Sequence, residues 1–480
     1  MTPSKGQPLD RNQTSVIRRM LEHQWFAVVV GLVITGLGAA SAALLFKTGL
    51  DALGRTRLRL LDLGPSWLLL PAIGGGGGLL AGLLIQSLAP AAEGSGIPQV
   101  MRFLRRQPVA MGIQVAMVKL VAGTVAIGSG FPLGPSGPSI QMGSSVGWEM
   151  ARWLKAPSPF RRMIVAAGGG AGIAAVFRAP IAGFLYTLEE LLQGARPLVM
   201  LLVLVTTFWA DTWADLLGLA NLSGLGPLLS LWDTSGEFQL ERQVWARVAV
   251  VPIDLVELFI LGALVAFAAE AYCRFIVALQ RLRQRLQIPL AIGMAATGTA
   301  IGLIDALLPG EFINRAGIRQ AVAQGDVDIA KAVGIFLVLF LTTGLAAAAG
   351  TPGGLFAPML TLGGTLGVAG AATLEHLGLH TPSTAIYAGM GAFMAACART
   401  PITATFLVFS VTRDLLVLKP VLVACLGGLI TARLLVRDSL FKRLMLASAE
   451  AADTGGGGPG ARAATVDLAS RSVPLRPHDL

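Results

Sequence analysis

Long apolar stretches dominate the chain, separated by short polar or glycine–proline interruptions. Runs close to membrane length and poor in charge occur at 27–46, 67–90, 109–127, 163–188, 197–210, 256–276, 289–308, 332–350, 354–374, 383–398 and 416–436. A helix needs about 20 apolar residues to cross a hydrocarbon core, so the pattern predicts about eleven membrane helices, some short or broken by Gly and Pro. The ten-residue alternation of a membrane barrel is absent, and helices are the other way to satisfy a backbone in lipid. The expected fold class is all-α, a polytopic membrane protein of tilted and broken helices. Met1 to Arg19 is polar and basic, without a cleavable leader pattern, and a first helical pattern begins at about 14–22. The end of the chain is rich in Gly, Ala and Ser, with a run at Gly455–Gly458. The expected division is an N-terminal segment at 1–22, a membrane domain at 23–446 and a disordered tail at 447–480.

Composition sharpens this reading. Of 480 residues, 54% are hydrophobic and 13% charged, with a mean hydropathy of +0.69; soluble domains carry about 25% charged residues. Disorder, collagen and a disulfide scaffold are excluded, the last because Cys273, Cys397 and Cys425 all stand in apolar stretches. Lys and Arg number 37 against 27 Asp and Glu, a net charge of +10. Lys5, Arg11, Arg18 and Arg19 precede the first long span, and Arg433, Arg437, Lys442 and Arg443 follow the last. Positive residues gather on the cytoplasmic side, so both termini are expected there, with an even number of crossings when paired half-spans count as one. The net charge is assigned to topology and lipid contact, since no basic patch interleaved with aromatics speaks for nucleic acid. A short tail without added domains suits a bacterial inner (plasma) membrane.

Fifty-nine glycines are more than a simple bundle needs. Many cluster, as at Gly74 to Gly78 and Gly168 to Gly172, where small residues let helices approach closely in lipid. Three clusters also carry proline: 93–98 reads Glu-Gly-Ser-Gly-Ile-Pro, 134–138 reads Gly-Pro-Ser-Gly-Pro, and 353–358 reads Gly-Gly-Leu-Phe-Ala-Pro. Proline is favoured in the first turn of a helix, where its missing N–H would be unpaired anyway. Each motif therefore predicts a loop feeding a helix N-terminus. Such an end carries free N–H groups and the positive pole of the helix dipole. Several of them aimed at one point in the membrane make an anion site without a full positive charge. A lysine there would hold the anion too tightly, whereas partial charges suit conduction. Gly134 and Gly353 stand 219 positions apart. Interrupted segments at matching places point to an inverted repeat with a midplane site, with halves at about 23–222 and 245–436.

Gly94-Ser95-Gly96-Ile97-Pro98, Gly134-Pro135-Ser136-Gly137-Pro138 and Gly353-Gly354-Leu355-Phe356-Ala357-Pro358 resemble, in order and spacing, the three anion-coordinating signatures of the CLC chloride channel and transporter family. The run from Gly170 through Arg178-Ala179-Pro180 to Glu189-Glu190, the segment Arg399-Thr400-Pro401, and Leu440-Phe441 agree as well, so the resemblance covers about residues 20–446. It implies a homodimer in the lipid bilayer with one anion pathway per subunit and two inverted halves. It implies anion-binding roles for Gly94, Ser95, Ser136, Gly137, Leu355, Phe356, Ala357 and Phe441. The central hydroxyl falls on Ser95, the amide donors on Leu355 and Phe356, and an outer site near Ser136 and Gly137. Chloride or a similar small anion is the implied substrate, and no cofactor is implied.

Three departures from the family pattern bear on mechanism. The second signature of the family carries a glutamate that plugs the outer pathway and carries protons in the exchangers; here that gating position is Ser136. The central tyrosine falls on Phe441, which has no hydroxyl, and a late-helix glutamate falls on Ser410. Pro135 also removes one backbone N–H at the outer site. Glu190 remains at the inner proton-glutamate position, either as an internal proton site or as part of a hydrated helix end with Glu189. Without an outer carboxylate, passive and proton-uncoupled chloride movement is expected. The alternatives are a chloride/proton exchanger, or another halide or nitrate transporter of the same fold.

Weaker signals stand beside these. His376 and His380 are spaced four apart, as metal ligands on one helix face can be, but lack the glutamate of a metalloprotease and read as interfacial. Gly170-Ala171-Gly172-Ile173-Ala174-Ala175 lacks the strand of a dinucleotide fingerprint and reads as close helix packing. Asp211 and Asp215, beside Trp209 and Trp213, read as a solvated helix end. Lys119 and Lys331 read as charges near span ends, where snorkelling suffices. An intramembrane enzyme would need a His, Asp or Ser constellation on facing helices, and no such set is evident among the chain's four histidines.

Overall fold

The computed structural model describes residues 11–219, 252–309, 315–324, 327–376 and 384–454. Residues 1–10, the boundary between the expected halves at 222–245, His380, and the expected tail from Gly455 onward lie outside them. The described chain is helical. In its first half run α1 (Arg11–Leu60), α2 (Ser66–Leu88), α3 (Ile97–Leu104), α4 (Ile113–Gly128), α5 (Ser136–Trp153), α6 (Ser158–Phe177), α7 (Pro180–Tyr186) and α8 (Pro197–Leu219). The second half holds α9 (Pro252–Arg285), α10 (Leu290–Leu307), α11 (Arg315–Gln324), α12 (Ile329–Ala348), α13 (Phe356–His376), α14 (Ala385–Ala398), α15 (Pro401–Thr412), α16 (Leu418–Leu435) and α17 (Leu440–Thr454).

Eight helices among the described residues are long and apolar enough to cross a membrane, fewer than the eleven apolar windows. Windows 109–127 and 383–398 fall on α4 and α14, of 16 and 14 residues. At 1.5 Å per residue these fall short of a core about 30 Å thick. Conversely, α1 has 50 residues, about 75 Å of helix. It reaches back to Arg11, well into the segment expected at 1–22. At the other end α17 continues to Thr454, so residues 447–454, expected as part of the tail, are helical. Leu444, Met445 and Ala447 are buried, and the Ser448 hydroxyl accepts from Gln280 Nε2 of α9 at 3.1 Å. A one-sided apolar stripe on a short helix is easily lost in a composition biased to Ala and Ser.

The two halves repeat one plan. Helices α5 and α13 each start at a glycine–proline motif. Helices α6 and α14 each end on an arginine in the left-handed region, Arg178 (φ 51°) and Arg399 (φ 63°). Pro180 and Pro401 then open α7 and α15. Small residues set the spacing within each half, as expected: a Cβ on Gly143 of α5 would stand 2.1 Å from the Gly168 carbonyl of α6, and one on Gly168 would stand 2.2 Å from that of Gly143. Two sets of buried charges are paired. Arg57 of α1 meets Asp305 of α10 at 3.0 Å. Glu270 of α9 takes Arg443 Nη1 at 3.0 Å and Arg274 Nε at 2.9 Å, with Arg399 at 3.8 Å.

Candidate functional site

Three helix starts meet at one place. In α3 the first amide to find a carbonyl is Val100 N, on Gly96 O at 3.1 Å. In α5 it is Ser139 N, on Pro135 O at 3.0 Å, and in α13 Met359 N, on Leu355 O at 2.9 Å. The residues before each of these, among them Ile97, Ser136, Gly137, Phe356 and Ala357, are the opening residues of their helices, whose N–H groups have no partner within the helix; Pro98, Pro138 and Pro358 have no N–H at all.

The three ends touch directly. Gly134 and Gly354 form an isolated antiparallel bridge, Gly134 N to Gly354 O at 2.8 Å and Gly354 N to Gly134 O at 2.6 Å. Gly94 N donates to Gly350 O at 2.8 Å, tying the first motif to the turn before the third. Two glycines are required by close approach: a Cβ on Gly137 would lie 2.4 Å from Ser95 O, and one on Gly354 would lie 2.4 Å from Gly137 N and 2.1 Å from Ser136 Oγ. A side chain at 354 would thus cover the first amides of α5.

Two hydroxyls at this junction are buried and unpaired. Among the described residues the hydroxyls of Ser95 and Ser136 have no hydrogen-bond partner, although buried hydroxyls normally find one. A cavity of about 480 Å³ reaches Gly94, Ser95, Gly353 and Leu355 and is flanked by Arg102 and Arg283. Glu93 lines the same cavity and pairs with Arg283, so one of its two arginines is already neutralised.

Lys119 corrects its expected role as a snorkelling residue near a span end. It is fully buried in α4, and its Nζ donates to the carbonyls of Ala92, at 2.8 Å, and Gly94. A lysine does stand beside the first motif, but its Nζ is tied to two carbonyls, those of Ala92 and Gly94. Because the peptide is trans, the Ser95 N–H points away from the Gly94 oxygen that Lys119 holds. The readable signal was a lone cation inside an apolar run. Lys331, by contrast, is exposed at the start of α12. Asp215 pairs with Arg178, and His376 closes α13.

Phe441 is buried in the first turn of α17, its ring 6.1 Å from that of Phe356. Tyr186, which no sequence pattern singled out, packs edge to face on Phe356, 5.2 Å between ring centroids. The chain then makes a π turn at Thr187–Leu191. The idea of a hydrated pair there fails for both glutamates. Glu189 caps α15, accepting from Ile402 N at 3.2 Å, Thr403 N at 2.8 Å and Thr403 Oγ1 at 2.6 Å. Glu190 is buried and accepts from Ser439 Oγ at 2.9 Å. It lies outside the candidate spans. Burial pushes its carboxyl up to about 7, against the downward pull of the Ser439 hydrogen bond and of Arg105.

The family model described as voltage gated chloride channel matches residues 77–433. The chain is 31% identical over 439 residues to the H(+)/Cl(-) exchange transporter ClcA of Yersinia pseudotuberculosis, covering 87% of this chain and 86% of that one. It is 28% identical over 434 residues to the protein of that name in Vibrio parahaemolyticus, covering 88% and 89%. A solved structure of a slow cyanobacterial Cl−/H+ antiporter superposes with a TM-score of 0.76 at 26% identity, over 87% of this chain and 97% of that one. The match takes in the three converging motifs, and with it this chain belongs to the CLC, or voltage-gated chloride channel, family.

Proposed function

We propose that the protein moves chloride, or a similar small anion, passively and without obligatory proton exchange. Its pathway is formed by the N-termini of α3, α5 and α13. The observation that carries this reading is the meeting of three helix starts around buried, unpaired hydroxyls, with Ser136 where a titrating carboxylate would stand. In this reading Ser95 and the amides of Leu355 and Phe356 hold the anion centrally, and Gly94 and Ala357 shape the loops beside it. Ser136 and Gly137 form the outer site, and Phe441 walls the pathway without a hydroxyl. Obligatory coupling needs a group that alternates between holding a proton and competing with the anion, and serine does neither near neutral pH. The protein would work as a homodimer in a bacterial inner membrane with both termini cytoplasmic.

A coupled exchanger is the second reading, favoured by the names of the relatives and by the buried, readily protonated Glu190. One experiment separates the two. In proteoliposomes under an outward chloride gradient, chloride efflux is recorded together with internal pH. The passive reading expects efflux once a potassium ionophore clamps the voltage, with no proton entry. Sustained uphill proton movement driven by chloride overturns it.

A further inference from the structure

The chain has three tyrosines, and two of them satisfy their hydroxyls. Tyr272 shares a hydrogen bond with Thr343 Oγ1 at 2.8 Å, and Tyr387 donates to Ala323 O at 3.1 Å. Tyr186 is fully buried, and among the described residues its hydroxyl has no partner. A phenylalanine would fill the same space without stranding a polar atom, so the hydroxyl adds nothing to the packing. Its neighbours indicate what it serves. The Tyr186 ring meets Phe356 edge to face, 5.2 Å between centroids at 70°. Phe356 opens α13 and meets Phe441 at 6.1 Å and 62°. Tyr186 therefore belongs to the aromatic cluster at the α13 N-terminus, near which the Ser95 and Ser136 hydroxyls also stand unpaired.

We propose that the Tyr186 hydroxyl is a further ligand of the anion, donating a hydrogen bond from the α7 side of the pathway where Phe441, on the α17 side, has none to offer. This rests on the anion-pathway reading above. A phenol is a pure donor toward a halide, so its hydrogen strengthens binding without adding net charge.

The test is chloride binding to the purified full-length protein by isothermal titration calorimetry, with bromide anomalous scattering in crystals. Tyr186→Phe is expected to weaken chloride binding about tenfold, the usual scale for one hydrogen bond to a charged partner. Tyr186→Phe combined with Phe441→Tyr is expected to recover most of the loss. A bromide peak within hydrogen-bond reach of the Tyr186 oxygen supports the assignment. Unchanged affinity in Tyr186→Phe, while Ser95→Ala weakens binding, overturns it and leaves the anion pathway standing. Absence of halide binding to the unaltered protein overturns the pathway reading and this one together. Elution and melting temperature identify a misfolded Tyr186→Phe protein; in that case the bromide position decides, and a peak beyond reach of the Tyr186 oxygen overturns the assignment.

Discussion

Ser136 and Glu190 are the residues on which mechanism turns. A hydroxyl at 136 can donate to an anion but cannot replace one, and its oxygen lies against the Gly354 backbone of the opposite motif. Ser136→Glu should introduce a carboxylate there that blocks the path when ionised. Flux in that variant is expected to fall at least tenfold at neutral pH and to recover on acidification. Flux in that variant no more dependent on pH than in the unaltered protein would place residue 136 outside the path. Glu190 gives a milder effect in the unaltered protein. Its carboxyl is neutral below about 7 and charged above. An ionised carboxylate there repels an approaching anion, by an amount that falls with separation and dielectric screening. Anion flux should therefore drop several-fold as pH rises through 7, and Glu190→Gln should flatten the profile. The same shift has a sign for stability. The folded state binds the proton more tightly than the unfolded chain, whose value is near 4.5. Its contribution is full below 4.5 and is lost as pH rises through about 7, so melting temperature should decline across that window in the unaltered protein and not in Glu190→Gln.

At the scale of elements, the helix starts carry both the fold and the site. Gly137→Ala would put a Cβ 2.4 Å from Ser95 O. Backbone meets backbone there, and no side chain can turn aside. Overpacking of this kind costs about 1–3 kcal/mol. We expect a lowered melting temperature and about tenfold weaker chloride binding in calorimetry. At the foot of α17, Glu270→Gln leaves Arg443 and Arg399 without their buried counter-charge. Breaking a buried pair on one side costs roughly 3–5 kcal/mol, which thermal unfolding should register as a marked fall in melting temperature.

The glycine–proline starts of α3, α5 and α13 were legible in the sequence because proline, glycine and dipole physics are local. The long apolar helices were legible for the same reason. What escaped depends on distant partners. Lys119 resembles any snorkelling lysine until Ala92 and Gly94 are seen beside it. Tyr186 is one more aromatic in an apolar run until Phe356 and Phe441 close on it. Glu190 appears solvated until Ser439 arrives from the far end of the chain. The reach of α17 past residue 446 was hidden by Ala and Ser at positions that nonetheless pack on α9.

For the whole molecule, passive movement makes chloride alone the determinant of voltage. In planar bilayers the reversal potential should shift by about 59 mV per tenfold chloride gradient and stay fixed when a pH gradient is added. A reversal potential that follows the pH gradient would return the protein to the exchangers. The bridge between Gly134 and Gly354 carries a separate consequence. Carriers that swing one half about the other must open a seam at the cargo site. Here two short hydrogen bonds sew that seam shut at the point where the cargo would pass. In the passive reading proposed above, an anion would pass by rotamer-sized displacements rather than by rigid-body swings, and the temperature coefficient of flux should be as shallow as that of ions diffusing in water.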